Sequence, residues 1–184
     1  DFLRAAVWMV RYRLTTFDQE SLIGRVAGAY AGTSVAHAET EMGRWFDAEM
    51  TRFIRPAGLV RVREHLDAGH IVAIMSSGTR FTLEPLARLL GISHVVCTVF
   101  EERDGLLTGL HVRPACAGAG KVTMAERFAS EHDVDLGASY FYTDSHADMG
   151  LLERVGIPRV ITPDRRLRRQ AQLRGWRIED WAIA

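Results

Sequence analysis

The sequence predicts an α/β fold: a Rossmann-like three-layer α/β/α core on a parallel sheet, with an all-helical unit on its N-terminal side. Three observations predict it. After Pro56, short continuous apolar runs ("HIVAIMSS", "HVVCTV", "SYFYTD") alternate with helical patterns, as in sheets whose strands are covered on both faces. Before Pro56, apolar residues recur only at helical spacing. The 184 residues suffice for one domain, or one domain with a modest insert, and 47% hydrophobic with 25% charged residues describes a globular chain with a core.

Residues 1–55 read as helices. Leu3, Val7, Val10 and Leu14 form one apolar stripe. Thr16 and Gln19 fit a capping box ahead of a second stripe, Leu22, Ile23, Val26 and Tyr30. Thr33 or Ser34 caps a third helix with Met42, Trp45, Phe46, Met50 and Phe53 along one side, a stripe that reads as helical core. From Pro56 onward the spacing predicts a helix over 57–68, the strand "HIVAIMSS", a helix over 81–90 and the strand "HVVCTV". "EERDGLLTGLHV" carries an Asp104-Gly105 hairpin turn. A helix from Gly120 to His132, the strand "SYFYTD", a helix, the strand "RVIT" and an Arg-rich helix from Asp164 follow. Alternation of this kind makes a parallel sheet, and its chemistry gathers at the C-terminal strand ends.

Formal net charge is zero, with 23 basic and 23 acidic residues, so no global field favours nucleic acid. No apolar run approaches the roughly 20 residues that span a bilayer. The arginines in "DFLRAAVWMVRYRL" break any signal-peptide pattern, and a cytoplasmic protein is expected. Cys97 and Cys116 lack metal-binding spacing and read as buried free thiols.

Three groups fall where chemistry gathers. The strand "IVAIM" leads into Ser76-Ser77-Gly78-Thr79, whose hydroxyl and backbone N–H groups suit phosphate oxygens. Lys121 follows the glycine-rich "AGAG" at a helix start and supplies a point charge to the same oxygens. The strand "SYFYT" ends on Asp144, with Asp148 one helical turn on, and carboxylates suit Mg²⁺. Together these are parts for phosphoryl transfer, which needs positioning and charge neutralisation. "GAGK" is not a P-loop, because Val122 follows the lysine.

In this order and placement, residues 56–181 resemble the haloacid dehalogenase superfamily, in its phosphoserine-phosphatase-like branch. The matching motifs are "VAIMSS" with Ser76, Lys121 at a helix start, and "DSHADMGLL" with Asp144 and Asp148. The Asp-Gly hairpin and "TPDRRLRRQAQLRGW" also look like this branch, and Gly150 stands where it often has proline. The resemblance implies a helical cap over residues 1–55 and an α/β core over 56–184. It implies that Ser76, with Ser77 and Gly78, binds the phosphoryl group, that Lys121 neutralises it, and that Asp144 and Asp148 serve a Mg²⁺ ion, Asp148 directly or through water. The family's first motif, a strand ending Asp-x-Asp whose first Asp is the nucleophile, does not occur in the sequence. Asp18 and Glu20 imitate it, but "RYRLTT" before them is no buried strand. The first core strand is therefore expected upstream of Asp1, and the chain as given is expected to be inactive alone.

The expected function is Mg²⁺-dependent hydrolysis of a small phosphomonoester through an aspartyl phosphate, by a monomer or homodimer with no nucleic-acid partner. The alternative is an inactive relative that binds a phosphorylated ligand or partner. His146 reads as solvent-facing or at the substrate edge rather than as a metal ligand. His70, His94 and His132 fall at element ends. Arg80 reads as an exposed helix residue or a phosphate contact, Arg52 and Arg55 as substrate contacts or solvated residues, and Asp164–Arg169 as a solvated face.

Overall fold

The computed structural model describes residues 19–181. Leu3, Val7, Val10, Leu14, Thr16, and the acids Asp1 and Asp18 lie outside them. The described chain opens with helix α1 (Gln19–Ala29) and helix α2 (Val35–Glu49), followed by a 3-10 turn (Met50–Phe53). Ser34 caps α2, its side chain accepting from the His37 N–H at 3.2 Å.

Helix α3 (Pro56–Asp67) begins on the proline, whose missing N–H costs nothing at a first helical position. Strand β1 (Ala73–Thr79), helix α4 (Arg80–Leu90) and strand β2 (His94–Thr98) form a parallel strand–helix–strand unit, then β3 (Phe100–Arg103) and β4 (Leu106–His111) make the hairpin. Asp104 and Gly105 take φ of 51° and 75°, the two left-handed positions of a tight two-residue turn. Helix α5 (Gly118–Glu131), strand β5 (Tyr140–Thr143), the short helix α6 (Met149–Leu152), strand β6 (Ile157–Ile161), helix α7 (Arg165–Arg174) and strand β7 (Arg177–Glu179) complete the chain.

The parallel strands fall into two ladders, β1-β2 and β5-β6-β7. Among the described residues no ladder joins β1 to β5. This bears on burial. The sequence predicts strands covered on both faces, yet β1 is only half-buried along its length and β5 is buried only at Thr143. Each has a partner on one edge alone among the described residues, so its other edge is less covered.

Alternation along β5 shows the layers. Phe141 packs against the cluster of Leu152, Val160, Leu167 and Ala171 and against that of Ala125, Leu151 and Val155, on the side of α5, α6 and α7. Tyr142 faces α3, where its hydroxyl lies 2.9 Å from His65 Nε2. The helical segment shares a core with the α/β part: Ala27, Ala38, Phe81, Phe100 and Leu107 form one buried cluster against Val26, Tyr30, Val35 and Met42.

Candidate active site

β1 runs two residues past the expected strand "HIVAIMSS", so Gly78 and Thr79 belong to it as well. Ser76 pairs with Cys97, after which the register shifts to Thr79 with Thr98. At this irregularity the Ser76 hydroxyl accepts from the Gly78 N–H at 3.2 Å, turning Ser76, Ser77 and Gly78 into a compact loop edge. Helix α5 also starts earlier than its sequence pattern. Gly118 and Gly120 are helical, and Lys121 sits at the end of the first turn.

Lys121 and Asp148 meet. Lys121 Nζ lies 2.5 Å from Asp148 Oδ1, and their side chains are 9% and 10% exposed. The second carboxylate oxygen, Oδ2, accepts from the Thr143 hydroxyl at 2.7 Å. Thr143 Oγ1 in turn accepts from the Ser145 N–H at 3.1 Å, so the strand end, the turn and α5 share one polar cluster. Asp148 ends a 3-10 turn, His146–Asp148, rather than sitting inside a longer helix. Ser145 caps that turn, accepting from the Ala147 N–H at 3.2 Å.

Asp144 is different. Its side chain is half exposed, and its cationic neighbour is Arg55, whose Nη2 lies 3.9 Å from Oδ2. Its backbone is fixed instead: the Asp144 carbonyl accepts from the Asp164 N–H at 3.1 Å. In the sequence Asp164 reads as a helix start and as part of a solvated face, with no role at the site. Its Oδ1 accepts from the Arg166 and Leu167 N–H groups at 2.8 and 2.9 Å, and its Oδ2 from the His146 N–H at 2.9 Å. Burial works to raise the Asp164 carboxyl, but the three backbone N–H groups and the nearby His146 outweigh it and hold it below the ordinary carboxylate value. One carboxylate thereby caps α7 and pins the Asp144–His146 turn. The Asp-Arg-Arg pattern after Pro163 is a cap signal, and only the fold shows that its second oxygen reaches eighteen residues back.

Arg80 is engaged by two acidic side chains. It bridges Glu39 on α2 at 2.7 Å and Glu102 on β3 at 3.0 Å, with its guanidinium 4.6 Å from the Phe81 ring centre. The first turn of α1 is tied to the loop before α5. Glu20 Oε1 lies 2.9 Å from His111 Nε2, and Oε2 accepts from the Ala115 N–H at 3.2 Å. The His111 contact leads in holding the Glu20 carboxyl below its usual value, against the opposing effect of burial.

Cys97 and Cys116 are free and buried, as expected. Cys116 lies beneath the site, its N–H donating to Thr98 Oγ1 at 3.1 Å. Of the other histidines, His65 and His70 bring their Nδ1 atoms to 2.8 Å, and His94 and His132 stack edge to face at 4.6 Å. No group of three histidine, cysteine or acidic side chains stands ready to hold a metal among the described residues. A half-exposed carboxylate, Asp144, and a buried one, Asp148, paired with Lys121, form the donor set at this strand end among the described residues. It suits a hard, water-rich cation that takes one or two protein carboxylates, provided others join it.

The haloacid dehalogenase-like hydrolase model matches residues 1–153. The chain belongs to the haloacid dehalogenase-like hydrolase family. A histidinol-phosphatase of Neisseria meningitidis serogroup C is 32% identical over 143 residues, spanning 75% of this chain and 64% of that protein. The phosphoserine phosphatase SerB1 of Mycobacterium tuberculosis is 37% identical over 120 residues, 65% of this chain and 39% of the other. A Streptomyces azureus protein named for inhibition of morphological differentiation is 39% identical over 121 residues, 65% and 43% of the two chains. The chain thus spans about half the length, or less, of several curated relatives that it matches.

Among solved structures, a Bordetella pertussis Tohama I protein of unknown function superposes with a TM-score of 0.86 at 30% identity, covering 96% of this chain and 81% of that one. A substrate-bound phosphoserine phosphatase complex gives 0.73 at 14% identity over 98% and 80% of the two chains, a likeness of fold. The three-layer α/β architecture read from the sequence is that of this family.

Proposed function

We propose that the protein is a phosphomonoester hydrolase of the haloacid dehalogenase type, acting through an aspartyl phosphate with Mg²⁺ as cofactor. The nucleophilic aspartate is placed upstream of Asp1, on a strand that lies between β1 and β5. The observation that carries the reading is the Lys121–Asp148 contact of 2.5 Å at the C-terminal ends of those two strands. A buried ammonium held by one carboxylate, with a serine at the end of β1 and a second, freer carboxylate after β5, is a set of groups for gathering charge around a phosphoryl group. The one-sided pairing of β1 and β5 among the described residues supports the placement of the further strand.

In this reading residues 19–55 belong to a cap covering residues 1–55, and residues 56–184 form the core. Ser76, with Ser77 and Gly78, binds phosphoryl oxygens, the Ser76 hydroxyl being held in place by the Gly78 N–H that it accepts from. Lys121 neutralises the same oxygens and the attacking carboxylate. Asp148, with both oxygens already engaged, holds Lys121 in place and supports the metal site from behind. Asp144 is the carboxylate left to ligate the cation, and Asp164 fixes the turn that presents it. Mg²⁺, when bound, supplies charge neutralisation to the transferring phosphoryl group. The substrate is a small phosphorylated molecule, in line with the names of the histidinol- and phosphoserine-phosphatase relatives.

The test is turnover of a panel of small phosphomonoesters by the full-length protein with and without Mg²⁺. Asp144→Asn is expected to abolish Mg²⁺-dependent turnover. Phosphate binding without turnover by the unaltered full-length protein would replace the hydrolase with a phospho-ligand binder.

A further inference from the structure

The residue beside Asp144 has a second hold on the core. Arg55 precedes α3, and its backbone is extended where the chain passes from the helical segment into the α/β part. Its Nη1 donates to the Trp181 carbonyl at 3.0 Å, while Nη2 faces Asp144 Oδ2 at 3.9 Å. The Trp181 carbonyl is itself fixed. Trp181 N–H donates to Thr162 Oγ1 at 2.8 Å, and that hydroxyl lies 3.2 Å from the Trp181 carbonyl. The indole ring packs on Gly58, in the first turn of α3, closely enough that a Cβ there would meet it at 3.3 Å. The Trp181 indole N–H reaches Glu179 Oε2 at 3.2 Å. Arg55 is therefore anchored by one nitrogen and leaves the other facing the carboxylate.

A guanidinium in that seat does two things to a metal-binding carboxylate. It holds the side chain near one position before a cation arrives, and it competes with that cation for the negative charge. The contact is long and Asp144 is half exposed, so the competition is mild and reversible. The Trp181 bond gives Arg55 a place to stay once the carboxylate is taken. Arg55 differs in this from Lys121, which is buried against a different carboxylate.

We propose that Arg55 is a positioning residue for Asp144 that sets how tightly the site binds a divalent cation, with the C-terminal Trp181 segment as its anchor. The proposal rests on Asp144 being a cation ligand. It assigns a role to the junction between helical segment and core: displacement of the Trp181 segment would free Arg55 and alter cation affinity without touching a ligand.

The experiment is Mg²⁺ titration of the full-length protein, without substrate, by calorimetry and by thermal shift. Arg55→Gln keeps a donor for the Trp181 carbonyl and removes the charge. It is expected to bind Mg²⁺ about two- to fivefold more tightly than the wild type at low ionic strength, the scale of a partly exposed ion pair. The gap is expected to close as salt is raised. Arg55→Lys restores the charge and is expected to return the affinity toward the wild-type value. A merely structural role would loosen the site, so unchanged or weaker binding by Arg55→Gln overturns the proposal. Asp144→Asn separates the two levels. Loss of Mg²⁺ binding in that variant upholds the ligand assignment, and binding that survives it overturns that assignment and this proposal with it.

Discussion

Lys121 Nζ and Asp148 Oδ1 lie 2.5 Å apart with only about a tenth of either side chain exposed, and Thr143 occupies the other carboxylate oxygen. A pair so placed depends on both members. Removing one leaves the other charged in a poorly solvated pocket, a loss of about 3–5 kcal/mol. Lys121→Met is expected to lower stability by that amount. Lys121→Met with Asp148→Leu is expected to recover most of it while remaining inactive. Equilibrium denaturation in urea reads the difference, and a double variant no more stable than the single would show that the pair is not the source of the loss.

Gly120 stands one residue before Lys121, and a Cβ there would lie 2.2 Å from the Ala115 carbonyl and 3.0 Å from Pro114 Cβ. Backbone must move to admit it. Gly120→Ala is expected to cost about 1–3 kcal/mol and to reduce turnover of the full-length protein at least tenfold by displacing Lys121. Gly43, within α2, has nothing within 4 Å of such a Cβ. Gly43→Ala is expected to stabilise by about 0.5–1 kcal/mol, because alanine loses less backbone entropy in a helix. Melting curves of the two variants should move in opposite directions.

His65 is pushed below its ordinary value by burial first, with the neighbouring His70 and Arg61 adding to the effect. The folded state thus favours neutral His65, and the unfolded chain binds the extra proton as pH falls through about 6.5. This contribution to stability is fully present above that pH and is lost as pH falls toward the lowered folded value. His65→Gln is expected to flatten that part of the profile. Parallel wild-type and variant curves between pH 7.5 and 5 would exclude the effect.

Burial pushes the Cys116 thiol up to about 11, and it raises Cys97 as well. The thiolate is the reactive species, so both are expected to resist alkylation at pH 8 in the folded protein and to react after unfolding. Mass spectrometry of iodoacetamide-treated protein would check this, and modification of Cys116 in the native state would contradict it.

Much of the core was legible because buried strands and helices leave periodic traces. "HVVCT" and "YFYT" are strands, and Asp144 does follow a strand end. The expected strand "HIVAIMSS" stops at Ser77 because an apolar pattern gives no signal beyond it, whereas pairing continues to Thr79. Strand β7, Arg177–Glu179, escaped notice: it is three residues long, with one apolar side chain between two charges. The contacts of Arg80 with Glu39 and of Arg55 with Trp181 join residues 41 and 126 positions apart. No local pattern encodes such pairs; they follow from packing α2 against α4 and the hairpin, and Trp181 against α3.

Arg80, held between Glu39 and Glu102, has a consequence for how turnover responds to the medium. These contacts are partly exposed, so dissolved ions weaken them, with a screening length of about 8 Å at physiological ionic strength. The Lys121–Asp148 contact is buried and is screened far less. Added salt therefore acts on the joint between helices and core before it acts on the Lys121–Asp148 pair. A rate limited by that joint's opening should climb with ionic strength, and one limited by bond breaking should stay level. Salt becomes a simple means of telling the two slow steps apart.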